Sequence, residues 1–179
     1  MVPTNPEKQL KPLDILLYKG TGFTSWVIEW LSKSPYSHIA LVVNPGMNLG
    51  IESNTGHQAG VRAFDLRRIA VEQVDVFRLK PQYSVDQETV ISYLVGHLGV
   101  GYDYWGVICL GLLKIFSLLS FTLFRPHNSF QRNKDYFCSE LVWEAFASDG
   151  LDLVPQTGAA DITSPGDIAK SEVVDKVSK

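Results

Sequence analysis

The first half of the chain is patterned as short apolar runs separated by turn residues. Residues 13–18 (LDILLY) follow Lys11-Pro12 and predict a buried strand or an edge entering a sheet. Gly20-Thr21-Gly22 breaks that run. Trp26, Ile28, Trp30 and Leu31 predict a short helix that ends before Ser34-Pro35. Residues 37–43 (SHIALVV) are rich in β-branched side chains, and Asn44-Pro45-Gly46 closes the strand they predict. Residues 49–53 and 61–66 flank Asn54-Thr55-Gly56 and Gly60, the pattern of two strands joined by a loop. Residues 73–79 (QVDVFRL) alternate and predict another strand. Consecutive short strands without intervening helices favour an antiparallel sheet.

The second half changes period. Ser84 and Gln87 have capping-box spacing, and Val90, Ile91, Leu94, Val95 and Leu98 follow at helical intervals. In 135–146 (DYFCSELVWEAF), positions 138, 141, 142, 145 and 146 fall on one helical face, with Glu140 and Glu144 outside it. The expected class is therefore α+β, a small antiparallel sheet packed with helices. A chain of 179 residues with 45% hydrophobic content suits one cored domain. We assign that domain to 13–170, with an N-terminal extension at 1–12 and a charged, fraying tail at 171–179. The run 105–124 has the length of a membrane span, but Lys114 near its middle costs roughly 3 kcal/mol on insertion scales. It is read as a buried helix running into a loop, with a membrane-surface or acyl-chain contact as the second reading and a true span as the third.

Charge and cysteine usage narrow the function classes. A net charge of −3 with no basic stripe argues against nucleic-acid binding. Two cysteines, Cys109 and Cys138, exclude a disulfide framework, and no Cys/His cluster has zinc-ligand spacing. Neither a metal nor an organic cofactor is expected. Residues 1–12 contain no apolar signal-peptide core, which would place the chain in the cytoplasm if that N-terminus is native; the compartment is otherwise open.

Cys138 sits in the first turn of its predicted helix. Free amide N–H groups and the helix dipole stabilise a thiolate there and can donate to an oxyanion. The competing reading is a small buried hydrophobe, which also accounts for Cys109. A thiol nucleophile needs a base held in one tautomer. His57 and His127 lie in polar, turn-rich stretches, and His97 ends the helix that begins near Ser84. His38 opens an apolar strand, where a sheet margin can present its ring to a helix N-terminus. If strands 37–43 and 49–53 pair, Glu52 comes beside His38, where a carboxylate could accept the imidazole Nδ1–H. A satisfied core histidine and an exposed hairpin glutamate are the alternatives.

Taken in order, Leu13-Asp14-Ile15-Leu16, SPYSHIAL at 34–41, Ile51-Glu52-Ser53, Tyr102-Asp103-Tyr104, YFCSELV at 136–142 and Ser164-Pro165-Gly166-Asp167-Ile168 resemble the permuted papain-like amidases of the YiiX/YaeF type, within the NlpC-like superfamily. The resemblance runs from about Leu13 to Ile168, and SPYSHIAL and YFCSELVW are its specific parts. It implies a circularly permuted papain-like domain with His before Cys, Cys138 as nucleophile, His38 as base and Glu52 as third residue. Tyr102 is similar to a tyrosine that approaches the site in related enzymes, as a substrate-binding residue. The implied activity is cysteine-dependent hydrolysis of an amide in a peptide or amino-acid conjugate. An acyl-lipid hydrolase or acyltransferase, akin to the related lecithin retinol acyltransferases, is the alternative that 105–124 favours. A non-catalytic binding module on the same fold is the third. Substrates would accordingly be a small peptide, an amino-acid conjugate or an acyl lipid, with membrane-surface contact through 105–124 under the second reading.

Overall fold

The computed structural model describes residues 10–20, 34–54, 59–70, 73–101, 138–155 and 163–177. Among these, strands β1 (Ile15–Tyr18), β2 (His38–Asn44), β3 (Leu49–Asn54), β4 (Gly60–Asp65), β5 (Val74–Leu79) and β6 (Val174–Lys176) form one sheet in the order β4-β3-β2-β1-β5-β6. Every neighbouring pair is antiparallel. Helices α1 (Gln87–Gly96), α2 (Cys138–Ala147) and α3 (Pro165–Ala169) and a short 3-10 helix (Leu66–Arg68) complete the described elements. The α+β class and the antiparallel sheet are as the apolar pattern predicts. The short helix expected between Trp26 and Leu31, and the whole of 105–124, lie outside the described residues.

Alternation along each strand separates two faces. Ile15, Leu17, Ile39, Leu41 and Ile51 point into the larger core, where Leu141, Val142, Ala145 and Phe146 of α2 and Val90 and Leu94 of α1 meet them. Leu16, Ala40, Val42 and Val74 point to the other face and pack with Tyr18, Phe64 and Leu66. The register pairs Leu16 with Ala40 and Tyr18 with His38, so His38 belongs to this second face. β1 is apolar on both sides because it lies in the middle of the sheet and both of its faces are covered.

Three local expectations are corrected. Asp86, and not Ser84, caps α1: its carboxylate accepts from the backbone N–H of Glu88 and Thr89. An acidic cap directly before the first turn satisfies two orphan amides and complements the helix dipole. The charged end expected to fray carries β6, which pairs with β5 from Leu79↔Val174 to Phe77↔Lys176. Val173 and Val174 are buried there, and Lys176 reaches Asp75 at 2.8 Å. Two apolar residues and one ion pair outweigh the polar composition of the segment. Glu140, expected outside the apolar face of α2, is fully buried.

Side-chain bonds tie the helices down. Ser139 Oγ donates to the Thr163 carbonyl at 2.6 Å, and Trp143 Nε1 donates to Asp152 at 2.9 Å. Tyr93 of α1 donates its hydroxyl proton to Glu144 of α2. Ser164 and Asp167 form a reciprocal capping box at the start of α3. The SPGDI segment therefore has a folding role, as a helix start with Pro165 in its first turn. Inside the sheet, the fully buried Asp14 carboxylate accepts two bonds from Arg78, at 2.6 and 2.7 Å, and one from the Lys11 backbone N–H. A buried carboxylate persists only with such partners.

Candidate active site

Three antiparallel strands and one helix end converge at the start of β2. His38 is the first residue of β2, at the end of the sheet. Glu52 in β3 lies directly opposite Ala40 and therefore diagonal to His38 on the same face. The diagonal is close enough for a bond: His38 Nε2 and Glu52 Oε2 are 2.7 Å apart. The sequence expectation that β2 and β3 bring these two side chains together holds. The nitrogen differs, because Glu52 meets Nε2 and not Nδ1. With Nε2 donating to the carboxylate, Nδ1 is left for the other neighbour, Cys138.

Cys138 is the first described residue of α2 and is buried against the larger core. Its side chain neighbours the His38 ring and raises the basicity of the imidazole. Cys138, His38 and Glu52, chosen from the sequence as far apart as positions 38 and 138, thus form one chain of contacts. The imidazole is its middle member.

Residues that sequence reasoning passed over complete the cluster. Arg62 in β4 is the register partner of Glu52 and donates to its Oε1 from Nε at 3.0 Å and Nη2 at 2.8 Å. Asn54 donates to the same oxygen at 2.9 Å. Tyr18 in β1 stands opposite His38, with ring centroids 5.3 Å apart and planes tilted by 51°. The hairpin 49–54/60–65 was legible as a pair of strands, and its register would have put Arg62 across from Glu52. A loop of uncertain length hid that register. Tyr102, the sequence candidate for substrate contact, lies outside the described residues.

The electrostatics follow from these partners. Burial alone would depress the basicity of His38. Hydrogen bonds with Cys138 and Glu52, and negative charge at both, outweigh it and raise the imidazole to about 9. Burial alone would raise the Glu52 carboxyl, but the bond and charge of His38, then the bonds from Arg62 and Asn54, bring it down to about 2. The Tyr18 phenol is pushed above its ordinary range by burial first and by the charge of Glu52 second, so it stays neutral. Near neutral pH the cluster therefore holds an imidazolium between the Glu52 carboxylate and the Cys138 sulfur. That arrangement can deliver a proton from Nδ1 to a group bound at the sulfur.

No protein-family model matches the chain. Among curated proteins it is 27% identical over 186 residues to the probable lipoprotein peptidase YaeF of Escherichia coli K12, covering 93% of this chain. Among solved structures it superposes on the crystal structure described as metalloprotein YiiX, DUF1105, from Escherichia coli O157:H7, with a TM-score of 0.65. That match has 17% identity and covers 96% of this chain and 98% of the other. The chain is similar to proteins of the YiiX/YaeF type. It spans 65% of the length of YaeF, and the YiiX likeness bears on the fold alone. The six-stranded antiparallel sheet with its few helices is that fold in this sequence.

Proposed function

We propose that the protein is a cysteine hydrolase that cleaves an amide bond in a peptide or an amino-acid conjugate. The observation that carries this reading is the His38 ring, held between Glu52 at 2.7 Å and the Cys138 side chain of α2. A histidine serving only the core would not need a buried carboxylate on one nitrogen and a thiol at the other. The peptidase name of the curated relative agrees with this chemistry.

In the proposed mechanism the Cys138 thiolate attacks the amide carbonyl, and backbone N–H groups at the start of α2 donate to the oxyanion. His38 gives its Nδ1 proton to the departing nitrogen, the C–N bond breaks and a thioester forms. His38 then takes a proton from water, which attacks the thioester, releases the acid and restores the Cys138 thiolate beside the imidazolium. Glu52 fixes the ring through Nε2 and stabilises its cation, while Arg62 and Asn54 hold Glu52.

The solved relative is described as a metalloprotein. Among the described residues of this chain, no three of His, Cys, Asp and Glu gather as metal ligands, and Nε2 of His38 is engaged by Glu52. These residues do not make a metal site. No helix among the described residues is long and apolar enough to cross a membrane. The acyl-lipid alternative draws on 105–124, which lies outside them.

The test is turnover and trapping on a panel of peptide amide and acyl-lipid probes. Cys138→Ala and His38→Ala should each lose turnover by about 10³-fold or more. Glu52→Gln should retain more activity than either. The double variant should be little worse than each single one, because the groups act as a unit. Mass spectrometry of the trapped adduct on Cys138 identifies the acyl group. Wild-type rates in Cys138→Ala would refute the mechanism, and an adduct formed only with acyl lipids would replace the amide reading.

A further inference from the structure

A cleft of about 530 Å³ opens on the second face of the sheet, beside the Glu52–Arg62 pair. That volume is within the range of small-molecule sites. Tyr18, Phe64 and Ile69 supply apolar walls, and Glu52, Arg62, Asp65 and Arg68 supply charge. The charges leave a positive balance. Glu52 is matched by His38 and Arg62. Asp65 is matched by Arg67, which lies outside the lining and donates to both carboxylate oxygens at 2.6 to 3.0 Å. Arg68 adds a further guanidinium to the lining, exposed to solvent. A guanidinium at the rim of a partly apolar cleft suits a carboxylate, which it can bind through two parallel hydrogen bonds.

The position of the cleft relates it to the reaction. His38 has Cys138 on one side and Glu52 on the other, with the Tyr18 ring against it. Tyr18 and Glu52 are also cleft walls. The cleft thus begins on the Glu52 side of the imidazole, with Tyr18 as the wall that also packs on the His38 ring.

We propose that the cleft is a carboxylate-binding subsite that receives the amine half of the substrate, an amino acid or peptide fragment with a free carboxylate. Its identity as the leaving-group side rests on the hydrolase reading above; the binding of a carboxylate there does not. Arg68 is the specificity residue, and the apolar walls accept an aliphatic or aromatic side chain.

The test uses the Cys138→Ala protein, in which no turnover can occur. It is titrated with leucine and with leucinamide, which differ only in the carboxylate, and followed by backbone amide NMR. Leucine should shift resonances in β4 and at 66–70, and should bind at least about tenfold more tightly than leucinamide, the size of one lost charge-assisted hydrogen bond. Arg68→Ala, a change at an exposed position, should bring leucine down to the affinity of the amide. Equal affinities for acid and amide, shifts confined to other regions, or an unaltered preference in Arg68→Ala would each overturn the subsite. Carboxylate binding beside a wild-type protein that hydrolyses no amide would sustain the subsite and remove the hydrolase. Amide hydrolysis without any acid preference would do the reverse.

Discussion

A buried glutamate stays ionised only where donors surround it, and Glu52 accepts four hydrogen bonds, from His38, Asn54 and twice from Arg62. The result is a carboxylate fixed in charge and position, which together with Cys138 holds the charge on His38. The two shifts act on stability in opposite directions of pH. Glu52 falls from 4.5 to about 2 on folding, so its contribution is complete above 4.5 and is lost as the pH falls toward 2. His38 rises from 6.5 to about 9, so its contribution is complete below 6.5 and is lost as the pH rises through 9. Both are complete between about 4.5 and 6.5. An NMR titration of the His38 ring should show a midpoint near 9 in the wild type. In Glu52→Gln the midpoint should drop by about a unit or more, since a neutral amide no longer stabilises the cation. The alkaline loss of stability should begin earlier in that variant. A midpoint unchanged by Glu52→Gln would show that the carboxylate does not set the charge of the ring.

At the scale of elements, the sheet is aligned by close backbone approaches as well as by apolar pairing. Gly60 opens β4 at φ +125°, and a Cβ there would lie 2.2 Å from the Val100 carbonyl oxygen. That carbonyl accepts the Val61 N–H at 2.8 Å, and Gly99 N–H donates back to Val61 at 2.9 Å, docking the end of α1 on the start of β4. Gly150 also has a positive φ, +83°, but a Cβ there meets nothing within 4 Å. Gly150→Ala should therefore cost about 1–2 kcal/mol, the left-handed backbone penalty alone. Gly60→Ala should cost more, because backbone must move as well. Thermal melts of the two variants make the comparison; equal losses would mean that the α1–β4 contact yields freely. Strands β1 to β5 were legible, because alternation and turn residues are local. The cap of α1 was misread, because Ser84 and Asp86 both suit a cap and only the chain path selects between them. β6 was missed, because Val173 and Val174 are apolar in a charged stretch and become a strand only through β5, about a hundred residues away in sequence.

For the molecule as a whole, the antiparallel sheet is the device that gathers residues distant in sequence. Pairing of β1, β2, β3 and β4 brings Tyr18, His38, Glu52 and Arg62 to one face, and α2 brings Cys138 to the end of β2. Cys138, His38 and Glu52 were legible because each carries a local sign: a helix start, a strand start and a carboxylate two residues out of register. Arg62 and Tyr18 were not, because an arginine and a tyrosine in strands have many ordinary uses and only the sheet order distinguishes them. The nitrogen that Glu52 engages was also out of reach, since ring orientation depends on where α2 arrives. The central claim is that His38 activates Cys138. Alkylation by iodoacetamide near neutral pH, followed by mass spectrometry of Cys138 and Cys109 peptides in wild type and His38→Ala, tests it most directly. The account predicts that Cys138 is labelled much faster than Cys109 in the wild type, and that His38→Ala removes the difference while the protein stays folded. Faster labelling of Cys109, or an equal rate at Cys138 in the two proteins, would contradict it.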